Sequence, residues 1–158
     1  MTKINVLHFA DIHIGMENYG RVDPETGINA RVLDFLRRFS DLADYAIEQQ
    51  VDLFVFSGDA YKTRDPNPTY QREFARRVKK VADAGIPVIL LVGNHDLPSV
   101  ARRATSIDIF GTLEVPNIYV GNREELTRIT CRRGQPIHIA GLEVDRRVQR
   151  LQDEARRS

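Results

Sequence analysis

The fold of this chain is decided by one stretch of sequence, Val88-Ile89-Leu90-Leu91-Val92-Gly93-Asn94-His95-Asp96. Its first part, residues 88–92, is wholly aliphatic, which is typical of a strand buried on both faces of a parallel sheet. Polar residues that follow such a strand lie at the carboxyl edge of the sheet, where α/β proteins place their sites. The Gly-Asn-His-Asp tetrad therefore marks a candidate site.

Two earlier apolar runs end in the same way. Residues 4–10 lead into Asp11-Ile12-His13, and residues 53–57 lead into Gly58-Asp59. One such polar residue is often only a cap or a hydrogen-bonded loop residue. Because the carboxyl ends of parallel strands meet at one edge, three such strand ends favour a shared site.

The segments between these strands predict crossover helices. Residues 31–49 and 69–84 carry apolar side chains at spacings of three and four, the pattern of an amphipathic helix. Gly85 and Pro87 end the second helix. Strand, helix, strand, helix, strand forms two right-handed βαβ units, so the sequence predicts an α/β fold with a parallel-sheet core. Residues 16–28, rich in glycine and polar residues, are predicted to form a long surface loop.

Beyond Asp96 the pattern is weaker. It predicts a short helix near residues 104–113, then strands at 118–120, 126–131 and 136–140. Residues 143–158 are polar and arginine-rich, which indicates a solvated helix or tail. We therefore expect one domain over residues 1–142, followed by that tail.

Composition excludes several broad classes of protein. The 158 residues carry a formal net charge of +1, which gives no overall attraction to nucleic acid or membrane. No apolar stretch approaches the roughly 20 residues of a membrane span, and the amino terminus does not read as a secretory leader. The single cysteine, Cys131, excludes an intrachain disulfide and fits a reducing compartment. We expect a cytoplasmic protein that does not enter the membrane.

The polar residues at the three strand ends are suited to binding metal. Asp11 and His13 are two residues apart, so in an extended backbone they point the same way. Gly58 would allow the sharp turn that brings Asp59 close to them. Asn94 offers one neutral oxygen. A carboxylate shared by two cations, with imidazole and amide ligands around it, would form a two-metal site for hydrolysis of a phosphate ester.

The remaining residues of the tetrad suggest proton transfer. His95 lies next to a candidate ligand and would protonate the leaving oxygen. Asp96 would fix the tautomer of His95. Both are therefore candidate catalytic residues.

The motifs taken together resemble those of a known family, the calcineurin-like metallophosphoesterases. The resemblance covers residues 4 to about 100 and rests on Asp11-x-His13, Gly58-Asp59 and Gly93-Asn94-His95-Asp96. Within that superfamily the chain is similar to the SbcD-type DNA double-strand-break repair nucleases. The similarity lies in Leu-His-Phe-Ala-Asp-Ile-His-Ile-Gly at residues 7–15 and Thr-Arg-Asp-Pro-Asn-Pro-Thr at residues 63–69.

This resemblance implies a layered sheet structure and specific roles. Asp11, His13 and Asp59 would hold the first metal, while Asp59 and Asn94 would begin the second. His95 would be the acid that also contacts the scissile phosphate. Manganese is the expected ion, DNA the expected substrate, and an SbcC-like ATPase the expected partner. If later strands normally complete a second sheet, the exposed edge would favour a homodimer.

The chain departs from the family pattern at two places. Lys62 stands where the repair nucleases usually have Asp or His, and a protonated lysine cannot bind a metal. The later histidine and the Gly-His-x-His motif of the family are not in the sequence, and the only histidine after His95 is His138, in an apolar strand. We expect His138 to be a structural strand residue, the chain to be the N-terminal part of such a nuclease, and the second metal site to lack its C-terminal histidines.

Two other functions are compatible with the same residues. One is a phosphomonoesterase or cyclic-nucleotide phosphodiesterase of the same superfamily, which would need no basic DNA track. The other is a non-catalytic truncated domain that binds one metal weakly, or only a partner protein.

A few other side chains have roles that the sequence leaves open. His8 lies within the first strand and is expected in the core or supporting a ligand rather than binding metal. Tyr19 and Tyr61 could stack on bases or pack in the core. Arg64 could meet a phosphate, although a loop arginine is more often simply solvated. Cys131 reads as a small buried residue.

Overall fold

A computed structural model of the protein describes residues 3–93, 96–97, 104–121 and 126–140. The helices and strands in these ranges are β1 (Val6–Phe9), α1 (Ala30–Glu48), β2 (Leu53–Phe56), α2 (Pro68–Asp83), β3 (Val88–Leu91), α3 (Asp108–Thr112), β4 (Ile118–Gly121), β5 (Leu126–Thr130) and β6 (Pro136–Ala140). The order of strands and helices agrees with the sequence prediction.

The first four strands form a parallel sheet in the order β1-β2-β3-β4. This confirms the predicted α/β fold with a parallel core. Because the strands follow one another without a reversal, right-handed crossovers place α1 and α2 on the same face of the sheet. The carboxyl ends of the four parallel strands all lie at one edge of the sheet.

The main core lies between the helices and this face of the sheet. Phenylalanine rings fill it: Phe9 lies 4.8 Å from Phe54 and 5.7 Å from Phe39 between ring centroids, and Phe56 lies 5.5 Å from Phe74. Burial of these rings, together with the aliphatic side chains around them, stabilises the packing of the helices on the sheet.

Both long helices begin at side-chain caps. The Asn29 side chain accepts a hydrogen bond from the backbone N–H of Arg31 at the start of α1, and Asn67 caps α2 in the same way through Tyr70. Arg77 on α2 then donates to the carbonyl of Leu36 on α1 at 2.8 Å. The two helices are thus joined by packing and by a hydrogen bond.

A hairpin of β5 and β6 covers the other face of the sheet. Ile129, Ile137 and Ile139 pack against Leu53 and Ile89. The result is a layer of helices, a parallel sheet and an antiparallel hairpin. The predicted strands 126–131 and 136–140 are confirmed to within a residue.

The turn of the hairpin is held at the amino edge of the sheet by a buried carboxylate. Asp52 is fully buried and accepts hydrogen bonds from the backbone N–H of Asn5 and the guanidinium of Arg133. The Arg133 interaction holds the pKa of Asp52 down, to about 2. The ion pair therefore fixes where the hairpin sits.

Two elements are shorter in the structure than the sequence predicted. The first strand was expected over residues 4–10, but β1 is limited to Val6–Phe9, an edge strand on which Val6 is exposed. The helix expected near 104–113 is the shorter α3, which follows a turn in which Thr105 and Asp108, the first residue of α3, exchange two hydrogen bonds. The predicted tail, residues 143–158, lies outside the described residues. Among the described helices, none is both long and apolar enough to cross a membrane.

Candidate metal centre

Three of the predicted metal ligands come together at the carboxyl edge of the sheet. Asp11, His13 and Asp59 each offer a ligand atom, and these atoms all lie within 4.8 Å of one another. Nε2 of His13 is 3.4 Å from Oδ1 of Asp11. The three residues differ in their exposure to solvent. The Asp11 side chain is largely exposed, whereas Asp59 is only 8% exposed.

The loops that carry these side chains run next to each other beyond the ends of β1 and β2. The backbone N–H of Asp11 donates to the carbonyl of Gly58 at 3.1 Å, and that of His13 donates to the carbonyl of Asp59 at 3.1 Å. The N–H of Ile14 then donates to Ala60 at 2.9 Å. These bonds fix the register of one loop against the other, and so the spacing of the ligands.

All three candidate ligands have a left-handed backbone. The φ angles are 59° at Asp11, 47° at His13 and 61° at Asp59. For a residue other than glycine this conformation costs roughly 1–2 kcal/mol. Strain of this kind persists where the surrounding structure imposes it, and it is concentrated at functional sites. The backbone at all three candidate ligands is therefore in the kind of conformation that recurs at functional sites.

The loop that follows β3 contributes to the site through a close backbone contact with the loop that follows β2. A Cβ atom at Gly58 would lie 2.3 Å from the backbone nitrogen of Gly93, and a Cβ at Gly93 would lie 2.2 Å from Oδ1 of Asp59. No side chain other than hydrogen fits at either position. The two glycines allow the loops after β2 and β3 to touch, with the Asp59 carboxylate against Gly93.

Asp96 binds these two loops to each other. Its side chain is almost completely buried, with the residue 2% exposed. Oδ2 accepts hydrogen bonds from the backbone N–H groups of Asp59 at 2.7 Å and Gly93 at 2.9 Å, and Oδ1 accepts from Ala60 at 3.0 Å. Burial raises the pKa of Asp96, while the three N–H donors oppose that rise.

Sequence reasoning missed this role of Asp96. It expected the carboxylate to orient His95. His95 and Asn94 lie outside the described residues, so their predicted roles stay predictions, as does the effect of Asp96 on His95. Two of the three hydrogen bonds of Asp96 join it to residues 36 and 37 positions earlier in the chain, which no local pattern around Asp96 indicates.

The other side chains considered in the sequence lie in different environments. His8 is exposed, and its Nε2 lies 2.6 Å from Oγ of Ser57. Of its two expected roles, a place in the core is wrong, because β1 is an edge strand and leaves this face open, and support of a ligand stays a prediction. Tyr61 is buried, with its ring centroid 5.5 Å from that of Phe74, and burial raises its pKa. Of the two expectations for Tyr61, packing is therefore correct. Tyr19 is fully exposed.

Residues farther along the chain also have defined positions. Lys62 is exposed, and its backbone N–H donates to the carbonyl of Ile14 at 2.9 Å. His138 lies in β6 opposite Arg128 and is not one of the three clustered ligands. Cys131 is buried, as predicted.

The donor set fits a divalent cation. Two carboxylates and one imidazole suit ions of intermediate hardness, such as Mn²⁺, Fe²⁺ and Zn²⁺. A parallel sheet with such a cluster at its carboxyl edge is an α/β protein with a candidate metal site where α/β folds place their sites.

Comparison with known proteins gives the family. The chain belongs to the calcineurin-like phosphoesterases, whose family model matches residues 4–157. This confirms the resemblance found in the motifs. A divalent metal is characteristic of metallophosphoesterases, in agreement with the cluster.

The individual relatives are DNA double-strand break repair proteins named Mre11. That of Sulfurisphaera tokodaii is 34% identical over 98 residues, which are 62% of this chain and 24% of the relative. That of Halobacterium salinarum is 33% identical over 108 residues, 68% of this chain and 25% of the relative. That of Thermoplasma acidophilum is 33% identical over 92 residues, 58% of this chain and 23% of the relative. The matched region thus spans about a quarter of each of these relatives.

Proposed function

We propose that this chain carries the metal-binding part of a phosphodiesterase that cleaves DNA. The observation that carries the proposal is the cluster of Asp11, His13 and Asp59, three potential ligands within 4.8 Å and all in left-handed backbone. Family membership supports phosphate-ester hydrolysis. The printed names of the relatives, which are DNA repair proteins, support DNA as the substrate.

Each residue of the site would have a defined part in this reaction. Asp11, His13 and Asp59 would hold the first cation, and Asn94 together with Asp59 would begin a second site. The chemistry supplied by a bound cation would be Lewis acidity toward water and toward a phosphoryl oxygen. His95 would donate a proton to the leaving oxygen. Manganese is the proposed ion, because a mixed oxygen and nitrogen donor set suits it.

The expected partners are also part of this proposal. Similarity to the SbcD-type nucleases supports an SbcC-like ATPase as partner, and the buried single thiol of Cys131 is compatible with the cytoplasm. A homodimer is supported by the exposed edge strand β1, where Val6 is 50% exposed. Light scattering tests the dimer, and a sharp monomer peak at all concentrations would contradict it.

The experiment that tests the function compares Mn²⁺ binding and cleavage of end-labelled DNA in the wild type and Asp59→Asn. We expect the variant to bind Mn²⁺ at least about tenfold more weakly and to cleave no DNA, because one of the proposed carboxylate ligands of the cation is lost. Asp83→Asn is the matched control, since Asp83 is an exposed carboxylate at the end of α2 whose ion pair within the described residues is with Lys79. Unchanged Mn²⁺ binding in Asp59→Asn would overturn the assignment.

A second measurement separates the substrate classes. Turnover of an aryl phosphate diester and of the matching monoester distinguishes a phosphodiesterase from a phosphomonoesterase. Preference for the monoester, lost in Asp59→Asn, would keep the metal site and refute the DNA substrate.

A further inference from the structure

The turn at residues 17–20 presents an aromatic ring wholly to solvent. The backbone N–H of Gly20 donates to the carbonyl of Glu17 at 3.2 Å, and Tyr19 at the third position has a φ of 63°. This position of a turn favours glycine or asparagine, and a tyrosine there costs roughly 1–2 kcal/mol. The relative exposure of Tyr19 is 107%, so its ring buries no surface in return. Folding stability does not explain the residue.

The turn is nevertheless firmly held. Nδ2 of Asn29 donates to the carbonyls of Glu17 at 3.3 Å and Gly20 at 3.1 Å. The hydroxyl of Tyr70, at the start of α2, donates to the Glu17 carboxylate. A Cβ at Gly20 would lie 1.8 Å from Oδ1 of Asn29, so the turn and the cap of α1 are tightly fitted. The backbone that carries the Tyr19 ring is therefore ordered before a ligand binds, and only the side chain has to be fixed on binding.

Beside this turn is an open cleft of about 730 Å³ with a surplus of positive charge. Its charged lining residues are Arg21, Arg31 and Asp34. Asp34 is ion-paired with Arg37 at 3.4 Å, whereas in the described part of the chain neither lining arginine takes part in a salt bridge. The Arg31 guanidinium lies 5.4 Å from the ring centroid of Phe35, which orients it.

The cleft also adjoins the metal cluster along the chain. Met16 lines the cleft, and its backbone N–H donates to the carbonyl of His13 at 3.3 Å. A DNA strand bound in the cleft would therefore lie close to the residues that we propose for phosphodiester cleavage.

We propose that this cleft binds one unpaired nucleotide, with the base stacked on Tyr19 and the phosphate held by Arg21 and Arg31. The inference rests on the proposed function, since it specifies how the DNA substrate is held. Stacking on an aromatic side chain contributes roughly 1–3 kcal/mol per base, and guanidinium groups match phosphate geometry. The volume of the cleft is also in the range of small-ligand sites.

The test measures binding of a single strand of about 12 nucleotides that contains 2-aminopurine, in EDTA so that no cleavage occurs. The affinity of Tyr19→Ala should fall by about 5-fold to 150-fold, and the quenching of 2-aminopurine should be lost with it. Tyr19→Phe keeps the ring and should bind within about twofold of the wild type. Tyr45→Ala is the matched control, because Tyr45 is another exposed tyrosine, 56% exposed, on α1.

A salt titration tests the arginines separately. Arg31→Gln should make the slope of log affinity against log salt shallower by about 0.7, the value for one phosphate contact on a single strand. A wild type that binds the strand no more tightly than Tyr19→Ala refutes the stacking site and leaves the DNA substrate standing. A Tyr19→Phe variant as weak as Tyr19→Ala also refutes stacking. A folded wild type that binds Mn²⁺ but no single-stranded or duplex DNA refutes both proposals.

Discussion

Replacing Asp96 tests how the candidate metal centre is held together. Its carboxylate accepts three backbone hydrogen bonds, from Asp59 at 2.7 Å, Gly93 at 2.9 Å and Ala60 at 3.0 Å. Asp96→Ala would leave these three N–H groups without their acceptor in a buried position. Bonds to a charged acceptor contribute about 1.5–3 kcal/mol each, and they are not additive because water partly refills the space. We expect a loss of about 3–5 kcal/mol in the free energy of unfolding.

Asp96→Asn should give a smaller and informative loss. The side-chain oxygen of asparagine can take the position of Oδ2, which accepts from both Asp59 and Gly93. Its amide nitrogen would then face the N–H of Ala60, so one hydrogen bond is replaced by a contact between two donors. The expected loss is about 2 kcal/mol. The predicted order of stability is therefore wild type, then Asn, then Ala.

Urea unfolding followed by circular dichroism measures these differences, and calorimetric titration with Mn²⁺ measures their effect on the site. Because Asp96 holds the loop that carries Asp59, the folded Asn variant should bind Mn²⁺ about tenfold more weakly. Asp83→Asn is again the control, since an exposed pair should change stability by less than about 1 kcal/mol. An Asp96→Ala protein within about 1 kcal/mol of the wild type, or an Asn variant with unchanged Mn²⁺ affinity, would refute this reasoning.

Two further predictions concern the packing around the site and the hairpin. Gly58→Ala should cost more than about 3 kcal/mol, because its Cβ would lie 2.3 Å from the nitrogen of Gly93, whereas Gly85→Ala, also at positive φ but with open space around it, should cost only about 1 kcal/mol. Equal losses in urea unfolding would show that the backbone contact is not tight. The pKa of Asp52 is lowered to about 2 from 3.8 by Arg133, so the ion pair stabilises the fold above about pH 4 and this stabilisation is lost as the pH falls toward 2. The stability advantage of the wild type over Arg133→Gln should disappear over that range, and an advantage independent of pH would contradict the assignment.

The order of strands and helices was predictable because it depends on local patterns. The aliphatic run 88–92 and the helical spacing of apolar residues in 31–49 and 69–84 each report the burial of one segment, whatever its neighbours are. The roles of single side chains were less predictable. Tyr19 and Tyr61 looked alike in the sequence, yet one is wholly exposed and the other lies in the core. The core alternative for His8 was wrong because nothing in its own segment shows that β1 lies at the edge of the sheet.

Local patterns in the sequence indicated that carboxylate, imidazole and amide groups follow three apolar strands, and hence that a metal site should lie at one edge of a parallel sheet. How the site is held depends on contacts between distant segments. Asp96 bonds to the backbone of Asp59, 37 positions away, and Gly58 touches Gly93 across neighbouring loops. All three ligands have positive φ angles, which no spacing of residues in the sequence indicates. Such contacts join segments that meet only when the sheet has formed, so no local pattern of residues encodes them.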